Sequence, residues 1–139
     1  MKTSLALLAL VSVSALAAPP GGMRPGLWET TVQSSMGGGK PIATRSCITA
    51  QQLADPKGAV PKMDNPQMKC EQVDYKVNGN TINWKMRCTG EVPMDGVGQM
   101  TSGPDNYSGK MDMTMKMQGQ SMIVSNTMTG KRVGDCPAK

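Results

Sequence analysis

Beyond residue 25, apolar and polar positions alternate with a period of two, broken at intervals by Gly, Pro and Asn, and this pattern predicts strands. Gly26 to Ser34 (GLWETTVQS) places Trp28, Thr30 and Val32 on one face, and Gly37-Gly38-Gly39 ends it. Ile42 to Ile48 forms a second strand. Thr49-Ala50-Gln51-Gln52 fits a capping box, in which the hydroxyl accepts a first-turn amide and the glutamine reaches back. A short helix through Ala54 follows, stopped by Asp55-Pro56. Lys57 to Gln67 reads as a loop.

The remainder is a meander. Lys69 to Val77 sets Val73, Tyr75 and Val77 on one face, and Asn78-Gly79 is a strong hairpin signal. Asn80 to Cys88 returns with Ile82, Trp84, Met86 and Cys88 aligned. A two-residue loop sets Val77 opposite Asn80, Tyr75 opposite Ile82 and Val73 opposite Trp84. Met94 to Ser102 is a glycine-weakened strand, and Gly103 to Asn106 is a turn. Tyr107 to Met117 carries Tyr107, Gly109, Met111, Met113, Met115 and Met117 on one face. Gln118-Gly119 then turns the chain into Gln120 to Arg132. That loop sets Met115 opposite Met122, Met113 opposite Val124 and Met111 opposite Asn126. The pattern specifies an all-β fold with one short helix: a strongly curved antiparallel meander sheet or a small barrel.

The N-terminus breaks the alternation. Lys2 precedes an apolar run from Leu5 to Leu16, and Ala15-Leu16-Ala17 offers a small-x-small cleavage site, so residues 1–17 read as a signal peptide. The run is shorter than the about 20 residues that a membrane-spanning helix needs. Processing leaves no transmembrane segment, and the expected location is the periplasm. Residues 18–25 read as a flexible Pro/Gly-rich lead, and residues 26–136 as a single β-rich domain.

Composition changes this picture in three ways. The chain has no phenylalanine and 14 methionines, and Leu27 and Leu53 are the leucines beyond the signal. Methionine therefore has to fill the core, pliably and with little specification. Four cysteines in an exported chain predict two disulfides, with three possible connectivities. The hairpin register places Cys70 one position from the partner of Cys88. A small bulge would join them, leaving Cys47 for Cys136, and this pairing is the favoured one. The net charge of +5 comes from scattered residues without a basic run, which excludes a nucleic-acid stripe.

Chemistry is sparse. The chain contains no histidine, which removes the commonest general base and metal ligand, and its carboxylates stand singly along strands and turns. No catalytic residue is assigned, no cofactor is implied, and the chain is not read as an enzyme. The one conspicuous motif is Met111-Asp-Met-Thr-Met-Lys-Met117. As a half-buried strand it is core packing. As an alternative, Met111, Met113, Met115 and Met117 are soft ligands for Cu(I) or Ag(I), with Met122 and Met100 as further sulfurs. A ligand face of Met100, Met122, Trp84 and Tyr107 suits an apolar ligand or an envelope protein partner, presented by a monomer.

Four landmarks fall in order along the chain: Arg24-Pro25-Gly26-Leu27-Trp28-Glu29, Cys47-Ile48-Thr49, the Cys70 and Cys88 hairpin, and Gly130-Lys131-Arg132-Val133-Gly134-Asp135-Cys136. Together they resemble a proteobacterial exported family, the domain of unknown function numbered thirty-six-seventeen. The resemblance spans about residues 23 to 136. It implies a small periplasmic β-rich domain with a methionine-rich C-terminal half, and it carries over no activity, cofactor or binding residue.

Overall fold

A computed structural model describes residues 19–55, 57 and 66–138. The expected signal peptide at 1–17, and most of the loop after the helix, including Met63, lie outside the described residues.

Seven antiparallel strands form one sheet: β1 (Gly26–Ser34), β2 (Ile42–Ile48), β3 (Met68–Asn78), β4 (Thr81–Gly90), β5 (Met94–Ser102), β6 (Asn106–Met117) and β7 (Gln120–Gly134). Their order is β2-β1-β7-β6-β5-β4-β3. Five strands follow the meander, and the N-terminal pair is added on the far side of β7. The sheet is open: β2 and β3 are its two edges, and it does not close into a barrel. The helix α1 (Ala50–Ala54) follows β2, and its capping box is formed. The Thr49 hydroxyl accepts the Gln52 amide at 3.2 Å, and Gln52 Oε1 accepts the Thr49 amide at 2.8 Å.

The β6–β7 hairpin has the expected register, with Met117 opposite Gln120, Met115 opposite Met122 and Met113 opposite Val124. Gln118 (φ 49°) and Gly119 (φ 80°) both take the left-handed conformation that a type I′ turn demands. The β3–β4 hairpin differs from expectation by one residue. Gly79 (φ 60°) occupies the first loop position and Asn80 the second, so Asn78 pairs with Thr81 and Tyr75 faces Trp84 rather than Ile82. A positive φ at the first position alone is the type II′ arrangement, which Gly79 supports as readily as Asn78-Gly79 supports type I′.

The sequence reading anticipates a bulge in β3, which falls between Gln72 and Asp74. It sets Cys70 directly opposite Cys88. It also ejects Val73, which is 47% exposed and not on the inner face as its alternation suggests. Val77, at the strand end, is exposed too. Both disulfides form as favoured: Cys70–Cys88, with Cα atoms 4.0 Å apart, and Cys47–Cys136, at 5.5 Å.

One face of the sheet is apolar and buried, while the other is mostly polar and exposed. The outer face carries the cross-strand ion pairs Arg45–Glu29 and Arg87–Asp95, together with the Gln99–Asn83 hydrogen bond. These are solvated pairs of small energetic weight. The inner face buries Ile82, Trp84, Met86, Met100, Met111, Met113, Val124 and Met128 in one cluster, and Met23, Trp28 and Leu53 in a second. Where it is described, the lead is seated on the sheet. Met23 is buried, Arg24 holds Asp105 at 2.6 Å, and a 3-10 turn at Pro20–Gly22 lies against β4 and β5.

Glycines let a single layer bury such large side chains. A Cβ on Gly98 would lie 2.2 Å from the Trp84 ring, and one on Gly130 would lie 2.0 Å from the Tyr107 ring. Each ring therefore lies flat over a neighbouring strand where no side chain rises. Glycine weakens a strand on its own, but here a cross-strand aromatic covers the exposed backbone.

Candidate functional site

Register partners share a face, so the inner surface resolves into transverse rows. One row runs Gln72, Met86, Gly96, Met113, Val124 across β3 to β7. The next runs Tyr75, Trp84, Gly98, Met111, Asn126. A third runs Val77, Ile82, Met100, Gly109, Met128, Val32.

The first two rows hold three side-chain polar atoms that have no hydrogen-bond partner among the described residues: Gln72 Oε1, Tyr75 OH and Trp84 Nε1. They belong to adjacent strands at one end of the inner face, and Trp84 is only 1% exposed. A buried polar group left unpaired costs about 1–3 kcal/mol, so three together mark a place where the fold alone does not satisfy its own chemistry. The trio comprises an indole donor, a hydroxyl that donates and accepts, and an amide oxygen that accepts. Burial pushes the Tyr75 phenol above its ordinary pKa, and the Asp55 carboxylate adds to the effect. Asp55 directly follows α1, so the helix brings one negative charge within electrostatic reach of β3.

Around these atoms the lining is soft. Met86, Met111 and Met113 are each 4–5% exposed. A Cβ on Gly96 would meet Met113 Sδ at 2.9 Å and Met86 Sδ at 3.3 Å, so the two thioethers converge above that glycine. Such chains change rotamer cheaply and reshape around a guest.

The residues singled out from sequence are distributed over this surface rather than gathered. Trp84 lies in the orphaned row, while Met100 lies buried one row away, between Ile82 and Gly109. Tyr107 stacks on Trp28 at 5.7 Å between ring centroids, and its hydroxyl is 2.6 Å from Thr30 Oγ1, so its polar end is already satisfied. Met122 is 44% exposed at the sheet's end. Of the alternating set, Met111 and Met113 are buried, Met115 is half-buried and Met117 is 47% exposed, so the four do not form one accessible group. Among the described residues no cluster of three or more His, Cys, Asp or Glu is present.

Gln72 and Tyr75 were not legible as site residues. The bulge reverses the alternation of β3, turning Gln72 inward, and the shifted turn carries Tyr75 from Ile82 to Trp84. A polar residue two positions from a cysteine that must be bridged was the available signal.

The outer face has a depression of about 420 Å³ over the same strands. Lys76, Lys85 and Lys110 alternate there with Asp74 and Asp112, so the charges nearly cancel and the surface is an ordinary solvated one.

No helix among the described residues is long and apolar enough to cross a membrane. No curated protein and no solved structure matches the chain. A family model described as Protein of unknown function (DUF3617) matches residues 23–136, which is the sheet together with the end of its lead and both disulfides; the chain belongs to that family.

Proposed function

We propose that this chain is a non-catalytic periplasmic binding module, which takes an amphipathic small molecule into the β3–β4 end of its inner face. The observation that carries the reading is the trio of unpaired atoms, Gln72 Oε1, Tyr75 OH and Trp84 Nε1, set among pliable methionines. An apolar body bearing one carbonyl or carboxyl group would displace methionine side chains, accept from the indole and phenol, and return a donor to Gln72 if it carries one. Two disulfides support an oxidising compartment. The lack of histidine, and the engagement of Glu29, Asp95, Asp105 and Asp135 in ion pairs, support a role without chemistry.

The two tryptophans provide the test. Dodecanoate, its alcohol and its methyl ester are titrated into the oxidised protein while both indole N–H signals are followed by NMR. The expected result is a saturable shift of the Trp84 signal, a static Trp28 signal, and weakened binding in Tyr75→Phe. Equal displacement of both signals, or no saturable shift with any probe, would overturn the reading.

A further inference from the structure

Across one end of the inner face, five successive strands contribute sulfur to a single transverse row. Cys70 on β3 pairs with Cys88 on β4, Cys88 with Met94 on β5, Met94 with Met115 on β6, and Met115 with Met122 on β7. The first two are joined as a disulfide, which fixes that edge of the row. Three thioethers remain side by side. Directly opposed residues hold their Cβ atoms about 4.5–5.5 Å apart. Met115 stands in the middle, and that spacing is within the reach of three unbranched side chains.

Core packing accounts for the sulfurs one row inward, because Met86 and Met113 are 5% and 4% exposed. It accounts for this row only in part: Met94 and Met115 pack against that core yet stay half-buried, and Met122 is not part of it. Met122 is 44% exposed, Met94 and Met115 are half-buried, and Met117, next along β6 on the same face, is 47% exposed. An apolar side chain left that open gains little from burial, whereas a ligand to an incoming ion has to be reachable.

We infer that Met94, Met115 and Met122 form a three-coordinate thioether site for a soft monovalent cation, Cu(I) or its redox-inert analogue Ag(I). Thioethers are neutral at every pH, so binding releases no proton, and they select soft ions over zinc, calcium or magnesium. The site differs from the set running along β6, with which it shares Met115. The donors lie across the strands at a solvent-facing end, not down one strand into the core. It lies one row from the β3–β4 ligand site and uses none of that site's residues.

The experiment is an anaerobic Cu(I) competition titration of the oxidised chain against a chromogenic chelator, paired with Ag(I) titration observed at the methionine methyl signals. One equivalent should bind. Met115→Leu and Met122→Leu should each weaken binding about tenfold or more, while Met111→Leu leaves it unchanged. Ag(I) should move the Met94, Met115 and Met122 methyl signals and spare those of Met111 and Met113. Met122 is exposed, so its leucine variant should keep the parent's melting temperature and separate loss of ligand from loss of fold. Absence of competition, retention of affinity in Met122→Leu, or Ag(I) shifts centred on Met111 and Met113 would each overturn the assignment.

Discussion

The inner face contains two aromatic pairs, and they are treated in opposite ways. At one end, Trp28 and Tyr107 stack, the Trp28 indole donates to the Arg24 carbonyl at 3.1 Å, and the Tyr107 hydroxyl meets Thr30. Met23 from the lead and Leu53 from α1 complete that cluster. At the other end, Trp84 and Tyr75 are register partners, and neither polar atom finds a hydrogen bond among the described residues. Trp28 and Trp84 are 0% and 1% exposed, so burial does not distinguish them. Satisfaction does. The first end is finished as structure, whereas the second retains unspent hydrogen-bonding capacity among deformable side chains, which is the property a binding surface needs.

Three further experiments would break or sharpen this contrast. The largest effect is expected at the disulfides, one of which belongs to each end. Cys47 lies opposite Leu27, the neighbour of Trp28 along β1, and its bridge to Cys136 spans 89 residues, whereas Cys70–Cys88 spans 18. If each bridge acts by restricting the unfolded chain, its removal as a paired Cys→Ser change should cost about 4–5 kcal/mol for the long one and about 3 kcal/mol for the short one. Denaturant midpoints of the two double variants give this order; the reverse order would place the more important clasp at the Trp84 end.

A smaller and more pointed effect distinguishes the tyrosines. Tyr107→Phe deletes a hydrogen bond made by a half-buried hydroxyl and leaves Thr30 without that partner, so a loss of about 0.5–1.5 kcal/mol is expected. Tyr75→Phe removes a hydroxyl that had no partner, and should be neutral or slightly stabilising. Equal losses in chemical denaturation would mean that Tyr75 is paired in solution and the two ends are alike.

The smallest effect is spectroscopic. Both tyrosines of the chain have pKa values raised by burial; Asp55 adds to the rise at Tyr75, and the Thr30 hydrogen bond offsets part of it at Tyr107. Phenolate absorbance of the folded protein should therefore grow at higher pH than that of the denatured chain. A phenol held neutral by the fold leaves stability whole below the ordinary tyrosine pKa of about 10 and erodes it as pH rises through the raised values. Tyrosine absorbance that titrates identically in both states would remove the buried-phenol picture from both ends.

The sequence was most readable where turn chemistry and alternation agreed. Gln118-Gly119 admits one short turn, and the methionines on either side pair as their alternation requires, so the whole β6–β7 register follows from local rules. Gly79 serves two turn types, and the strand before it carries an extra residue. Both choices are settled by tertiary contacts: the bridge that Cys70 must make, and the seat that Trp84 finds over Gly98. The candidate site lies in that stretch, which is why Trp84 was visible from sequence and Gln72 and Tyr75 were not. The sulfur row was hidden for a related reason, because it runs across five strands and appears only once every register is known.

The first strand of the sheet has the last strand as a partner, with Leu27 beside Gly134 and Ser34 beside Asn126. Among the described residues, β7 alone pairs with β1 on that side. The N-terminal hairpin therefore lacks its central neighbour until nearly the whole polypeptide is available, and the fold carries a high contact order at its closing step. A chain threaded through a channel from its N-terminus would emerge with β1 and β2 unanchored and complete its sheet only when β7 arrives. Emergence of the chain from its N-terminus is thus separated in time from completion of its sheet, and the bridge between Cys47 and Cys136 records the moment at which the two ends have met.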